Sequence, residues 1–143
     1  MREILFRGKR MDNGEWVYGN YIQSPTLPYM HMIEDRCPSI SDTGLRTFQG
    51  CPRVYPNTVG QFTGLLDKNG KRIFEGDIVT FTRENALGYT ARRRGDVRYY
   101  DKLPIFYIMA NTGDAWDWCE CNEIEVIGNI HDNPELLEVT PDE

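Results

Sequence analysis

Apolar and polar residues alternate along much of this chain, in short segments that turn residues separate. Alternation with a period of two is typical of β-strands, because successive side chains of a strand point to opposite faces of the sheet. It predicts an amino-terminal hairpin at Asn13-Gly14, a dipeptide typical of tight hairpin turns. Strands are predicted at residues 4–7, 15–22, 59–66, 71–74, 78–82, 92–100, 104–110, 116–119 and 123–127.

Residues 58–79 contain two turn signals, Asn69-Gly70 and Gly76-Asp77, between apolar runs too short for helices. Glycine supplies the positive φ that such turns need, and the carboxylate of Asp77 can accept a hydrogen bond from a nearby backbone N–H group. The first turn lets the two flanking strands pair. This segment therefore predicts a small β-module.

Residues 24–57 differ from the rest of the chain because they hold five of the eight prolines. Proline cannot donate a hydrogen bond to a sheet, so long central strands are not expected there. The segment is either a loop-rich insertion or a pair of short edge strands. Near the carboxyl terminus, Asn133 followed by Pro134 predicts one short helical turn.

Together these patterns predict a mainly β protein built around a small barrel-like, SH3-like module. The predicted single domain spans residues 1–143 and consists of four segments that differ in pattern. They are an amino-terminal hairpin at residues 1–23, a proline-rich region at 24–57, the barrel-like module at 57–131 and an acidic tail at 132–143.

Aromatic residues make up 12% of the chain, which favours strands because flat rings suit a pleated, half-buried surface. The net charge of −6 is unevenly distributed. Residues 111–143 contain ten acidic and no basic residues, whereas residues 1–110 contain sixteen basic and twelve acidic ones. The acidic third is either a solvated tail or an electrostatic contact surface within or between subunits.

The amino terminus lacks the apolar stretch of a signal peptide. No apolar run reaches the roughly 20 residues that cross a bilayer. We therefore expect a cytoplasmic protein without a membrane partner, whose four cysteines remain thiols in a reducing compartment.

Cys119 and Cys121 are candidate metal ligands because a single residue separates them. On a strand their sulfur atoms would share one face, and tetrahedral zinc needs such convergence. The usual zinc spacing leaves two or more residues between the cysteines, however, and two further ligands are required. The alternative is a pair of free thiols on a sheet face, and we expect no metal and no other cofactor.

A basic and aromatic cluster supplies the candidate binding residues, which are Arg92, Arg93, Arg94, Arg98, Tyr99 and Tyr100. Three interpretations stay open. The arginines protect a sheet edge from aggregation, or they dock onto the acidic third of the same or a neighbouring subunit, or they hold single-stranded nucleic acid together with the tyrosines. The acidic net charge makes attraction of phosphate weak and local.

No pattern for catalysis stands out. The chain has two histidines, no nucleophile elbow and no glycine-rich phosphate loop. We therefore predict that it is not an enzyme.

Two segments carry more specific motifs, TVGQFTGLLDKNGKRIFEGDIV at residues 58–79 and VIGNIHDNPELL at residues 126–137. Together with REILFR at residues 2–7 and WVYG at residues 16–19, they resemble the YopX family of phage and prophage proteins. The resemblance implies a β-rich fold, a phage or prophage setting and no established activity, so no catalytic residues are carried over.

From these patterns and the resemblance we predict a non-enzymatic, phage-derived accessory protein of the bacterial host's cytoplasm. It would act by binding and would self-associate as a homo-oligomer. The alternative is a nucleic-acid-binding module that uses the cluster from Arg92 to Arg98.

Overall fold

In the computed structural model, short antiparallel strands follow one another with tight turns between them, as the alternating pattern predicts. The protein is mainly β, and helical structure is limited to single 3-10 turns within the described residues. The chain divides into two compact units, Met1–Phe62 and Thr63–Glu143. The structure describes residues 3–23, 31–34, 39–40, 46–47, 51–84, 87–88 and 90–138.

The first unit contains an antiparallel sheet. The strands of this unit are β1 (Phe6–Lys9), β2 (Trp16–Gln23), β3 (His31–Glu34), β4 (Ser39–Ile40), β5 (Arg46–Thr47) and the first residues of β6 (Gly60–Leu66). The sheet order is β3-β2-β1-β6, and β4 and β5 form a separate pair. Val17, Ile33 and Val54 are buried together as the apolar core of this unit.

The predicted amino-terminal hairpin is confirmed. β1 and β2 pair with Lys9 opposite Trp16, and Gly14 in the connecting loop has a φ of +72°. The connection is longer than a two-residue turn, because the N–H of Arg10 donates to the carbonyl oxygen of Glu15 at 2.9 Å across the loop.

The proline-rich region contains short strands where the structure describes it. β3 pairs with β2, and β4 pairs with β5, each over only a few residues. Of the two alternatives for residues 24–57, short strands therefore fit these parts. The rest of the predicted insertion, residues 24–30, 35–38, 41–45 and 48–50, lies outside the described residues.

The second unit is built on a five-stranded antiparallel sheet, preceded by a hairpin of the last residues of β6 with β7 (Arg72–Phe74). The sheet strands are β8 (Asp77–Glu84), β9 (Thr90–Tyr100), β10 (Ile105–Ala110), β11 (Ala115–Trp116) and β12 (Asn122–Asn129). Their order is β11-β10-β9-β8-β12, so β9 lies in the middle of the sheet.

The predicted barrel is not found. β11 and β12 are the outer strands of an open sheet, and the described residues contain no closed barrel. β11 has only two residues, which offers too few backbone groups to close a barrel by pairing with another strand. The SH3-like detail stays a prediction, as do the predicted segment boundaries within one domain.

The turn at Gly76-Asp77 forms as predicted. Gly76 has a φ of +91°, which a residue with a side chain rarely adopts. The carboxylate of Asp77 is buried, and its Oδ2 accepts a hydrogen bond from the backbone N–H of Phe74 at 2.7 Å. The two residues therefore hold the corner between β7 and β8.

The preceding turn is held by a second buried carboxylate, Asp67, which is 6% exposed. Its Oδ1 accepts hydrogen bonds from the N–H groups of Asn69 at 2.8 Å and Lys71 at 2.9 Å. Its Oδ2 accepts a third from Val126 on β12 at 3.0 Å. Burial by itself would raise the pKa of Asp67, but these three hydrogen bonds hold the pKa below its ordinary value.

Apolar residues of the second unit gather on one face of its sheet. Val97 lies opposite Ile108 in the register of β9 and β10, so both side chains point to the same face. Trp116 and Trp118 are half-buried against this core, and the guanidinium of Arg83 stacks 3.7 Å from the Trp116 ring centre. The buried members of this cluster are Ile73, Val79, Phe81, Val97, Ile108, Ala110 and Cys121.

The predicted carboxyl-terminal turn is confirmed as a 3-10 helix, Pro134–Leu137. Asn133 does not cap it as expected. Its side-chain Oδ1 accepts a hydrogen bond from the N–H of Asn129 at 3.3 Å instead. Residues 139–143 of the predicted acidic tail lie outside the described residues, and among those described no helix has the length and apolar character to cross a membrane.

Candidate basic pocket

The consecutive arginines lie on β9, where strand geometry separates their side chains. In the register of β8 and β9, Arg94 lies opposite Thr80 and Arg93 lies opposite the buried Phe81. Directly opposed residues of antiparallel strands share a face. Arg92 and Arg94 therefore project from the face away from the apolar core, and Arg93 from the core face, as the alternation predicts.

All three arginines nevertheless line one pocket of about 590 Å³. β10 flanks β9 only between Gly95 and Tyr100, so the arginine segment extends beyond it. The N–H of Asn111, just after β10, donates to the carbonyl oxygen of Arg94 at 2.9 Å and holds the next loop beside the segment. We call this site the basic pocket; its lining residues are Thr80, Arg92, Arg93, Arg94, Asn111, Thr112 and Ile127.

Arg92 is the anchored member of the basic pocket. Its Nη2 donates to Thr80 Oγ1 at 2.5 Å and lies 3.5 Å from Glu125 Oε2. Glu125 also lies 3.3 Å from Lys68 Nζ, so one carboxylate is shared between two cations. Such exposed pairs contribute little stability, about 0–1 kcal/mol each.

Arg93 is the least engaged member. It is exposed, and its side chain makes no hydrogen bond or ion pair with any residue that the structure describes. Its charge is therefore available to a ligand. Hydroxyl and amide groups of Thr80, Asn111 and Thr112 add neutral hydrogen-bonding groups, so the site suits an anion with several oxygen atoms.

The remaining predicted binding residues do not join the basic pocket. Arg98 pairs with Asp96, with 2.7 Å between Nε and Oδ2, and this hydrogen bond raises the pKa of Arg98. Tyr99 packs edge-on against Phe106 with ring centres 5.2 Å apart. Tyr100 lines a different pocket. The structure thus divides the predicted cluster into separate sites.

The structure bears on two of the interpretations of the arginines. β9 is central between Gly95 and Tyr100, where it pairs with both β8 and β10, but Arg92–Arg94 pair with β8 alone among the described strands, so the charged-edge interpretation stays a prediction for that segment. A contact between the arginines and the acidic third exists within the chain, through Glu125. A contact with the acidic third of another subunit stays a prediction.

The comparisons with known proteins agree with the motifs. The family model described as YopX protein matches residues 5–138, nearly the whole chain. The chain belongs to the YopX family. A solved structure, the crystal structure of protein EF1440 from Enterococcus faecalis, is similar at 22% sequence identity and a TM-score of 0.51, covering 96% of this chain and 100% of that chain. At this identity the similarity shows the fold alone, and none of the curated proteins matches the chain.

The two neighbouring cysteines of this YopX-family chain, Cys119 and Cys121, differ in their surroundings. The sequence expectation placed both on a strand, but Cys119 lies in the 3-10 helix Trp118–Glu120 and Cys121 directly follows it. Cys119 is exposed, whereas Cys121 is buried and donates its thiol to the carbonyl oxygen of Asp117 at 3.3 Å. The described residues contain no group of three or more His, Cys, Asp or Glu side chains that could hold a metal ion.

The two thiols should therefore differ in reactivity. Burial, followed by the charge of Glu120, raises the pKa of Cys121 from 9.0 to about 11. Only the thiolate reacts, so at neutral pH the reactive fraction of Cys121 is about 100-fold below that of an ordinary thiol. Iodoacetamide treatment at about pH 7.5 should modify Cys119 first, and modification of Cys121 should accelerate as the pH approaches 11. Tandem mass spectrometry separates the two sites, and equal rates at neutral pH would contradict the prediction.

Sequence reasoning missed four of the seven residues that line the basic pocket, Thr80, Asn111, Thr112 and Ile127. Asn111 and Thr112 follow β10, and Thr80 lies on β8. Their positions beside the arginines therefore depend on how β8, β9 and β10 align. The signal that could have found them is the register of the strands. Local patterns in this YopX-family chain predict the strands but not the residues that face one another.

Proposed function

We propose that the chain is a phage- or prophage-derived accessory protein of the bacterial host's cytoplasm that is non-enzymatic and acts by binding an acidic ligand in the basic pocket. The observation that carries the proposal is the convergence of Arg92, Arg93 and Arg94 on one pocket. The ligand that fits best within the proposal is the acidic third of a second copy of the chain, so that the protein self-associates.

Charge supports this choice of ligand. Residues 111–143 contain ten acidic and no basic residues. Guanidinium groups form paired, charge-assisted hydrogen bonds with carboxylates, which are stronger than neutral ones. An interface of this kind depends strongly on salt, because exposed charges are screened over about 8 Å at physiological ionic strength.

Replacing all three arginines by serine is expected to weaken self-association about 10- to 100-fold. Light scattering and sedimentation velocity in low and high salt measure the change. The matched pair of single variants is Arg93→Ser and Lys102→Ser, since each removes one exposed cation of the second unit and only Arg93 lines the basic pocket. A protein that is monomeric at every salt concentration would contradict the proposed self-association.

Nucleic acid is the second candidate ligand, because arginines and hydroxyl groups in one pocket also suit phosphate oxygens. One feature weighs against it. Tyr100, which the alternative needs as a stacking platform, lines a pocket that also contains Asp117 and Glu120, and carboxylates repel phosphates. Titration of single-stranded and duplex DNA and RNA at near-physiological salt distinguishes the ligands. Micromolar binding that the triple serine variant loses, by a protein that does not self-associate, would favour this alternative.

A further inference from the structure

A second pocket of about 370 Å³ lies in the same unit, at β10, β11 and the 3-10 helix that follows β11. Ile105, Tyr107 and Met109 alternate along β10 and project from the face opposite the buried Ile108. Tyr100 lies opposite Ile105 and Ala115 lies opposite Met109, so their side chains join this face. The walls of the pocket are therefore apolar and aromatic.

The aromatic walls are accessible from solvent. Tyr100 is 38% exposed and Ile105 is 41% exposed, although both have large apolar surfaces. Tyr100 and Tyr107 form an edge-to-face pair, with ring centres 6.4 Å apart and an angle of 89° between the ring planes. Trp116 borders the pocket as well, but it lies opposite Ile108 in the register of β10 and β11, so its ring projects toward the core face. Clustered exposed aromatic side chains are typical of binding sites.

The charge of the pocket is opposite to that of the basic pocket. Asp117 and Glu120, both exposed, are its remaining lining residues. Arg98, the cation next to Tyr107, is paired with Asp96. Arg83 stacks on Trp116 but does not line the pocket. The pocket therefore presents two carboxylates beside the rings of Tyr100 and Tyr107.

This combination fits a cation with a flat, weakly hydrated surface. The faces of aromatic rings carry partial negative charge and attract guanidinium groups, and the attraction grows when water is displaced. The volume matches a single long side chain rather than a folded element.

We propose that this pocket binds an arginine side chain of a partner peptide or protein, with the guanidinium against the aromatic rings and the carboxylates of Asp117 and Glu120. The site is separate from the basic pocket and takes a ligand of opposite charge. Its test is therefore independent of the proposed function, and failure of either proposal leaves the other standing.

The probe is an acetylated and amidated peptide, Gly-Leu-Arg-Leu-Gly, titrated into the full chain and followed by two-dimensional NMR. The expected result is a shift of the Tyr100, Tyr107 and Met109 amides, which belong to residues that line the pocket. The same peptide with citrulline in place of arginine keeps the shape without the charge, and it should bind about ten-fold more weakly. A lysine version should fall between the two, because ammonium is more strongly hydrated and cannot stack.

Two double variants test the carboxylates. Asp117→Asn with Glu120→Gln should weaken binding of the arginine peptide about ten-fold. The matched control, Glu135→Gln with Glu138→Gln, removes the same charge from exposed residues outside the pocket and should leave binding unchanged. Tyr100→Leu keeps an apolar wall but removes an aromatic face, and it should weaken binding about three-fold.

Four outcomes would overturn the proposal. They are the absence of any shift up to about 5 mM peptide, equal affinity for the arginine and citrulline peptides, equal effects of the two double variants, and shifts that appear with rising protein concentration without peptide. The second outcome would show that the apolar walls alone drive binding. The last would assign the pocket to a second copy of the chain.

Discussion

Replacing Asp67 by asparagine is expected to lower the free energy of unfolding by about 3 kcal/mol at neutral pH. The two carboxylate oxygens of Asp67 accept three backbone hydrogen bonds, from Asn69 and Lys71 in the turn and from Val126 on β12. Asparagine has the same shape but only one acceptor oxygen. Its NH2 group would therefore face a backbone N–H group, and at least one buried donor would lose its partner.

The effect should depend on pH in a defined direction. The three hydrogen bonds outweigh burial and hold the pKa of Asp67 below its ordinary value, so folding favours the ionised form. The stabilisation is fully present above the unfolded-state pKa of about 4 and is lost as the pH falls through the lower folded-state pKa. The difference in stability between Asp67→Asn and the parent protein should be constant from about pH 5 to pH 8 and shrink below about pH 4.

Urea unfolding, followed by tryptophan fluorescence at several pH values, measures this difference. Asp101→Asn is the matched control, because Asp101 is an exposed aspartate in the turn between β9 and β10. Hydrogen exchange adds a local test, since the Val126 amide should lose protection in Asp67→Asn. A difference that grows as the pH falls would contradict the assigned role of the carboxylate.

Replacing Gly95 by alanine is expected to cost about 3 kcal/mol or more, or to prevent folding of the second unit. A Cβ atom at this position would lie 2.6 Å from the carbonyl oxygen of Met109 and 2.7 Å from Ile108 Cγ2. β9 is paired there with Val79 on one side and Ala110 on the other, so the backbone cannot move away from the contact. An alanine in a strand normally stabilises relative to glycine, and here the sign should reverse.

Gly70→Ala separates this clash from backbone strain. Gly70 has a φ of +82°, but a Cβ atom there would meet nothing within 4 Å. Its cost should be only about 1 kcal/mol, from the unfavourable φ alone. Circular dichroism and chemical unfolding of both variants give the comparison, and soluble yield gives a second measurement if Gly95→Ala does not fold. An alanine at position 95 that is no less stable than the parent would disprove the close packing of β9 and β10.

Much of the fold followed from local patterns. Gly70 and Gly76 adopt positive φ angles, and the carboxylate of Asp77 accepts a hydrogen bond from a backbone N–H group within a few residues. Because these effects are local, the turns predicted from the sequence form in the structure. The role of Asp67 was not predicted, because one of its three partners, Val126, lies 59 residues away. The barrel prediction failed because closure depends on the lengths and neighbours of the outer strands, which no single strand specifies.

The candidate site was predicted only in part. The alternation of Arg92, Arg93 and Arg94 between two faces follows from the predicted strand at residues 92–100, because it depends on strand geometry alone. Their meeting in one pocket was not predicted, since it depends on β10 ending at Ala110 opposite Gly95. The expected placement of Cys119 and Cys121 on a strand was wrong for a related reason. Backbone hydrogen bonds from Glu120 to Asp117 and from Cys121 to Trp118 turn that segment into a 3-10 helix.

The sequence by itself determined the YopX family, the β class, the two turns after β6 and the position of the arginines on a strand. Each of these depends on residue identity and on contacts close along the chain. Only the tertiary structure decided that the predicted cluster divides into a basic pocket at Arg92–Arg94 and an aromatic pocket of opposite charge at Tyr100. The physical reason is cross-strand register, which places residues from distant segments side by side and leaves no local pattern in the sequence.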